Sequence, residues 1–264
     1  MQDRAALSRL LEWQMTMGAD EAILDTPRDR LQPKPRAAPM PRPVASPIVT
    51  PTAPPVTAPQ SAVLASARVR ADAARDLVEL RATVEAFDGC SLRRTATHTV
   101  FADGNAGAPL MLIGEAPGAD EDRIGLPFVG RSGQLLDRML AGIGIRRAEN
   151  AYITNVLFWR PPGNRKPTPD ETAICLPFVW RHIALMRPKV VVLCGGTATA
   201  ALLNRTDGIT RLRGRWFELP VPGLDRPVPT MATYHPSFLL RAPAHKSEAW
   251  RDLLSIQSKL ISLK

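Results

Sequence analysis

The chain has 264 residues, 22% charged and 45% hydrophobic, the composition of a soluble globular protein with room for one large domain and an appendage. Lys and Arg exceed Asp and Glu by nine, and that excess points to a polyanionic partner, most economically nucleic acid. Three scattered cysteines (Cys90, Cys175, Cys194) exclude a disulfide framework, no segment nears the roughly 18 apolar residues of a membrane span, and the first residues lack the build of a signal peptide, so a cytoplasmic protein is expected.

Residues 4–17 place Leu7, Leu10, Leu11 and Met15 or Trp13 on one side of a helix. This predicts an N-terminal segment, 1–24, whose amphipathic helix docks on the main domain or meets a partner. Residues 25–60 read as a Pro-rich, extended linker. Residues 1–60 hold 7 basic and 6 acidic residues, so the positive charge belongs to the folded part, 61–264. There the spacing predicts one helix over 66–86, then short apolar runs alternating with amphipathic helices. Leu110–Ile113, Ala151–Thr154, Val190–Leu193 and Thr230–Thr233 are the candidate strands. Gly133–Gly142, Pro169–Met186, Thr197–Leu203 and Lys246–Leu263 are the candidate helices, and Thr168-Pro-Asp-Glu171 is a capping box that opens the second of them. The alternation predicts an α/β fold, a three-layer α/β/α sandwich around a central, mostly parallel sheet.

Ligands of such sheets bind beyond the carboxyl ends of the strands. The first strand runs into Gly114-Glu-Ala-Pro-Gly118, followed by Glu121-Asp122 and Pro127-Phe-Val-Gly130; the second ends at Asn155; the fourth ends at Tyr234-His235-Pro236. Singly, these are a tight turn, a cap and a structural histidine. Together, an acid pair, an Asn and a His at one sheet edge of a basic domain could break an N-glycosidic bond in a nucleotide. His235 would stabilise the departing base anion, and a carboxylate of the Glu121-Asp122 pair would stabilise the cationic sugar and place the water. Asn155 can match the imide edge of uracil, and Phe128 offers a stacking face to a base taken out of the duplex.

Over about Ala86–Leu260 the chain resembles family 4 uracil-DNA glycosylases of bacteria, within the uracil-DNA glycosylase superfamily. The resemblance rests on Val100-Phe-Ala-Asp-Gly-Asn105, Gly114–Asp122, Gly125-Leu-Pro-Phe-Val-Gly130, Tyr152-Ile-Thr-Asn155, Trp159–Arg165, Leu212-Arg-Gly-Arg-Trp216 and His235–Arg241. It implies that Glu115, Ala116, Phe128 and Asn155 form the uracil pocket, with Glu121 and His235 catalytic. The partner it implies is uracil-containing DNA, bound by a monomer. Phe238, Leu239 or Leu240 would fill the gap left by the flipped base. Arg160, Arg165, Lys166, Arg211, Arg213, Arg215 and Arg241 are candidates for phosphate contacts.

The family commonly holds a [4Fe–4S] cluster on four cysteines. Here those positions are Phe87, Cys90, Trp159 and Cys175, so Cys90 and Cys175 match two ligands and no cluster or other metal is expected. A related subgroup crosslinks to uracil-DNA without turnover through a histidine in the loop after the Asn strand. Trp159–Pro169 contains no histidine, which argues against that alternative.

Overall fold

The computed structural model describes residues 58–263. The predicted helix at 4–17 and the linker up to residue 57 lie outside the described residues. In chain order the elements begin α1 (Ala58–Ala73), α2 (Leu77–Ala86), β1 (Asp103–Gly104), β2 (Leu110–Gly114), α3 (Ala119–Ile124), α4 (Arg131–Ala141), α5 (Arg147–Asn150) and β3 (Ala151–Asn155). They continue α6 (Pro169–Met186), β4 (Val190–Cys194), α7 (Gly196–Leu203), α8 (Ile209–Leu212), β5 (Trp216–Leu219), β6 (Val228–Thr233), α9 (Pro236–Arg241) and α10 (Lys246–Ser262).

The strands form one sheet in the order β1-β3-β2-β4-β6-β5. The inner four are parallel, and the edge strands β1 and β5 run antiparallel to their neighbours. Every residue of β2, β3 and β4 is buried, as strands covered on both faces require. Alternation along the strands sorts the core into two halves. Met111, Ile113, Tyr152, Val191 and Leu193 pack with α1, α2 and α6; Leu110, Leu112, Ile153, Val190 and Val192 pack with α4 and α10. This is the expected three-layer sandwich. Among the described residues, no helix is long and apolar enough to cross a membrane.

The single helix expected over 66–86 is two helices. Asp76, in extended backbone, caps α2 by accepting from the Glu79 amide at 2.8 Å, and an Asp that serves the next helix in this way ends the one before it. The first helix also starts at Ala58, inside the stretch assigned to the linker. At α6 the capping box forms as expected: Thr168 Oγ1 accepts from the Glu171 amide at 3.2 Å, and Glu171 accepts from the Thr168 amide at 2.8 Å. The edge strands β1 and β5 are not predicted from the sequence because two and four residues are too short to carry a period.

Candidate active site

Chain order explains where the site falls. From β2 the chain moves to β3 on one side, then returns to β4 on the other, so the carboxyl ends of β2 and β4 flank the switch point of the sheet. A hydrogen bond spans that crevice, from the Thr197 hydroxyl at the start of α7 to the carboxylate of Glu115 just after β2. Ala116, next in the loop, is half-buried against the α6-side core.

Phe128, Asn155 and His235 converge at the same edge. Gly114 ends β2 opposite Asn155, and a Cβ on it would lie 2.4 Å from Asn155 Oδ1 and 2.6 Å from the Phe128 ring, so only glycine admits both side chains. The rings of Phe128 and His235 stack at 5.3 Å. Phe128 is 4% exposed and Asn155 2%, yet the Asn155 amide has no hydrogen-bond partner among the described residues. An amide with unused donors and acceptors at the end of a strand is suited to reading a planar ligand edge.

Phe128 sits at a φ of 54°, strained for a side chain of its size, and its surroundings over-determine it. Arg147 Nη2 donates to the Phe128 carbonyl and Nη1 to that of Pro127, each at 2.7 Å, while the same guanidinium pairs with Asp103 and Asp137. Gly133 of α4 lies so close that a Cβ would fall 1.8 Å from the Phe128 carbonyl oxygen. Neither residue stands out in the sequence as a site residue; a glycine inside a predicted helix is the available signal for Gly133, and Arg147 gives none.

His235 caps α9. Its Nδ1 accepts from the Ser237 amide at 3.1 Å and lies 2.9 Å from Ser237 Oγ, which leaves Nε2 to carry the proton. Burial, with Arg241 nearby, pushes its pKa down to about 4, so the ring is a neutral donor at physiological pH.

Glu121 is anchored to the backbone of two loops. Its carboxylate accepts from the amides of Gly118 (3.1 Å), Val129 (3.0 Å) and Gly130 (2.9 Å), pinning the Gly114–Gly118 loop to the Phe128 loop. Three of its roughly four acceptor sites are therefore taken. Asp122 likewise serves the backbone, accepting from Thr97 and His98. Glu121→Gln would set amide hydrogens among backbone donors, and it should lower unfolding free energy by about 1–3 kcal/mol in a denaturant titration. An unchanged transition would mean that the carboxylate does not hold these loops.

The DNA-facing set divides. Leu239 is 0% exposed and belongs to the core with Leu135 and Ala249, which removes it, whereas Leu240 beside it is exposed. Phe238 is half-buried between Tyr234 and His245. Arg213 turns inward, paired with Asp252 and donating to the Glu248 carbonyl at 2.7 Å, and so holds β5 and β6 to α10. Arg165 is committed to Glu171 by two hydrogen bonds of 2.9 and 2.6 Å. Arg160 donates to Asn164 at 2.8 Å, while Lys166, Arg215 and Arg241 are exposed without a side-chain partner among the described residues.

The four positions that would hold an iron–sulfur cluster do not fit one. Phe87 and Trp159 are each 1% exposed; Phe87 packs edge-on to Phe178 at 5.0 Å, and Trp159 Nε1 donates to Thr99 at 3.0 Å. Cys90 and Cys175 are both buried, and the neighbouring Cys90 thiol together with burial pushes the Cys175 thiol up. Cys194 lies in the α4-side core, its thiol pushed up to about 12 by burial.

Comparison with known proteins identifies the family. The sequence model of a family described as the uracil DNA glycosylase superfamily matches residues 101–254. The chain is 42% identical over 171 residues to a type-4 uracil-DNA glycosylase of Archaeoglobus fulgidus, covering 63% of this chain and 84% of that protein. It is 40% identical over 162 residues to one from Thermotoga maritima (60% and 80%) and 35% identical over 182 residues to one from Pyrobaculum aerophilum (67% and 91%).

Proposed function

The chain belongs to the uracil-DNA glycosylase superfamily, and from that premise we propose that it hydrolyses the N-glycosidic bond of deoxyuridine in DNA, the opening step of base-excision repair. The observation that carries this reading is the meeting of Phe128 and Asn155 at Gly114, with His235 stacked on the Phe128 ring. A base must leave the stack to reach these residues. Its face then lies on Phe128, and its imide edge meets the Asn155 amide, whose oxygen accepts from ring N3–H while its nitrogen donates to a carbonyl. As the glycosidic bond breaks, negative charge grows on the uracil and positive charge on the sugar. His235 Nε2–H donates to the uracil oxygen that gains charge, and a neutral imidazole does so without passing on a proton.

Two carboxylates serve the sugar side. Glu121, fixed by three amides, offers a negative charge that needs no reorganisation. Glu115, half-buried and anchored by Thr197, keeps acceptor sites free to orient the attacking water. In place of a four-thiolate cluster, Phe87 and Trp159 fill the space between α2, the segment after β3 and α6.

A gel assay of product release tests the function directly. The protein should release uracil from a uracil-containing oligonucleotide, leaving an alkali-labile site, and failure to do so would overturn the reading. Asn155→Asp replaces the amide donor with a second acceptor. It should slow uracil excision at least tenfold, about 1.4 kcal/mol. Excision at the wild-type rate would remove Asn155 from base recognition.

A further inference from the structure

A second cleft lies beside the site, beyond the last strand of the sheet. β5 runs antiparallel to β6, with Trp216 opposite Met231, so the start of β5 sits at the sheet edge where β6 delivers His235. α8 links the two places: its Ile209 side chain is 4.0 Å from where a Cβ on Gly196 would stand, at the first turn of α7. Between α8 and the open side of β5 is a cleft of about 310 Å³ lined by Arg205, Asp207, Arg211, Arg215, Trp216 and Phe217.

The chemistry of this lining is specific. Three guanidiniums face one carboxylate, and none of Arg205, Arg211 or Arg215 has a side-chain hydrogen bond or ion pair among the described residues. That contrasts with Arg213, in the same segment, which is fully engaged with α10. Phe217 is half-buried at the sheet edge, and no aromatic ring stacks on it among the described residues. Trp216, the preceding residue along the strand, turns its ring to the opposite face of the sheet, where Ser255 at 3.1 Å and Lys259 tie it to α10, so Phe217 is the aromatic wall of the cleft. Unpaired cations around a concavity with an aromatic wall suit a ligand that is both an anion and a flat ring. A nucleotide is that ligand, and its base can reach an aromatic wall only when it is not stacked in a duplex.

We propose that this cleft binds an unpaired nucleotide of the DNA strand, with its phosphate on Arg205, Arg211 and Arg215 and its base against Phe217. It is a second binding place, separate from the uracil pocket, and it favours single-stranded or frayed DNA on the β5 flank. The inference rests on the DNA reading above, but it can be tested without catalysis. The probes are a short uracil-free single strand and a hairpin-capped duplex of the same sequence, each titrated at several salt concentrations.

The combined variant Arg205→Gln, Arg211→Gln, Arg215→Gln should bind the single strand at least tenfold more weakly. Its plot of log affinity against log salt should be shallower by about 0.7 for each phosphate that the cleft no longer neutralises. Phe217→Leu keeps apolar bulk and removes the ring face, and it should weaken single-strand binding about fivefold or more while leaving the capped duplex unchanged. Arg226→Gln, in the turn between β5 and β6 at the opposite edge of the sheet, should alter neither. Unchanged single-strand affinity in both cleft variants would overturn the proposal, and so would a Phe217→Leu loss of equal size on the duplex. Because the probes contain no uracil, a protein that binds them as expected but releases no uracil from the uracil-containing oligonucleotide would refute the glycosylase reading and leave the cleft standing.

Discussion

His235→Ala should slow single-turnover uracil excision by about 10²–10³-fold, the usual cost of removing one donor aimed at a developing anion. Affinity for DNA bearing an uncleavable uracil analogue should change far less, since the donor gains its strength only as the base acquires charge. The geometry sets the proton inventory. Nδ1 is occupied as an acceptor from the Ser237 amide, so the free nitrogen is the one with the hydrogen. A large loss of affinity with an unchanged single-turnover rate would turn His235 into a binding residue.

The depressed pKa carries two further consequences. With a folded value of about 4 against an ordinary 6.5, His235 stays neutral through the range in which a free histidine titrates. The excision rate should therefore show no acid limb near 6.5 that disappears in His235→Ala. Stability follows the same sign. His182, stacked on Phe101 and fully buried, is pushed down to about 3 by desolvation and by Arg81. In the unfolded chain both rings take up protons below about 6.5, and in the folded chain they do not. Their contribution is full above that pH and is lost progressively as pH falls toward 4 and then 3.

The candidate site residues were picked out in the sequence because they sit where a parallel sheet must expose its ends. Asn155 and His235 follow apolar runs that read as candidate buried strands, and Phe128 lies in a loop with glycine at its end. What sequence could not convey is which polar groups are already spent. Glu121 and Asp122 are adjacent carboxylates in the sequence, and only the fold reveals that both are taken up by backbone amides. Arg213 and Arg215 differ by two positions and look alike; one is paired inward with Asp252 and the other is exposed, because Gly214, with a φ of 71°, turns the chain between them. Leu239 and Leu240 divide in the same way on a single helical turn of α9. Such outcomes depend on partners more than ten residues away, such as α10 for Arg213 and α4 for Leu239, and local spacing carries no record of them.

Trp159→Ala should destabilise the protein by about 3–5 kcal/mol, the cost of deleting a large buried aromatic and leaving a cavity. The indole is among the largest fully buried side chains, meets Phe158 edge-on at 6.1 Å and donates to Thr99, so its removal costs packing and a hydrogen bond together. The same geometry bears on iron. A [4Fe–4S] cluster takes one thiolate per iron, and at these positions two ring systems occupy the remaining corners. Cys90 and Cys175 then act as small, buried, apolar side chains in the core. The double variant Cys90→Ser, Cys175→Ser should cost far less than Trp159→Ala, with both measured by denaturant titration of anaerobically purified protein. If the thiols instead held a cluster, the double variant would lose that cross-link and the ordering would reverse. Brown protein with about four irons per chain would independently show that the aromatics make room for metal.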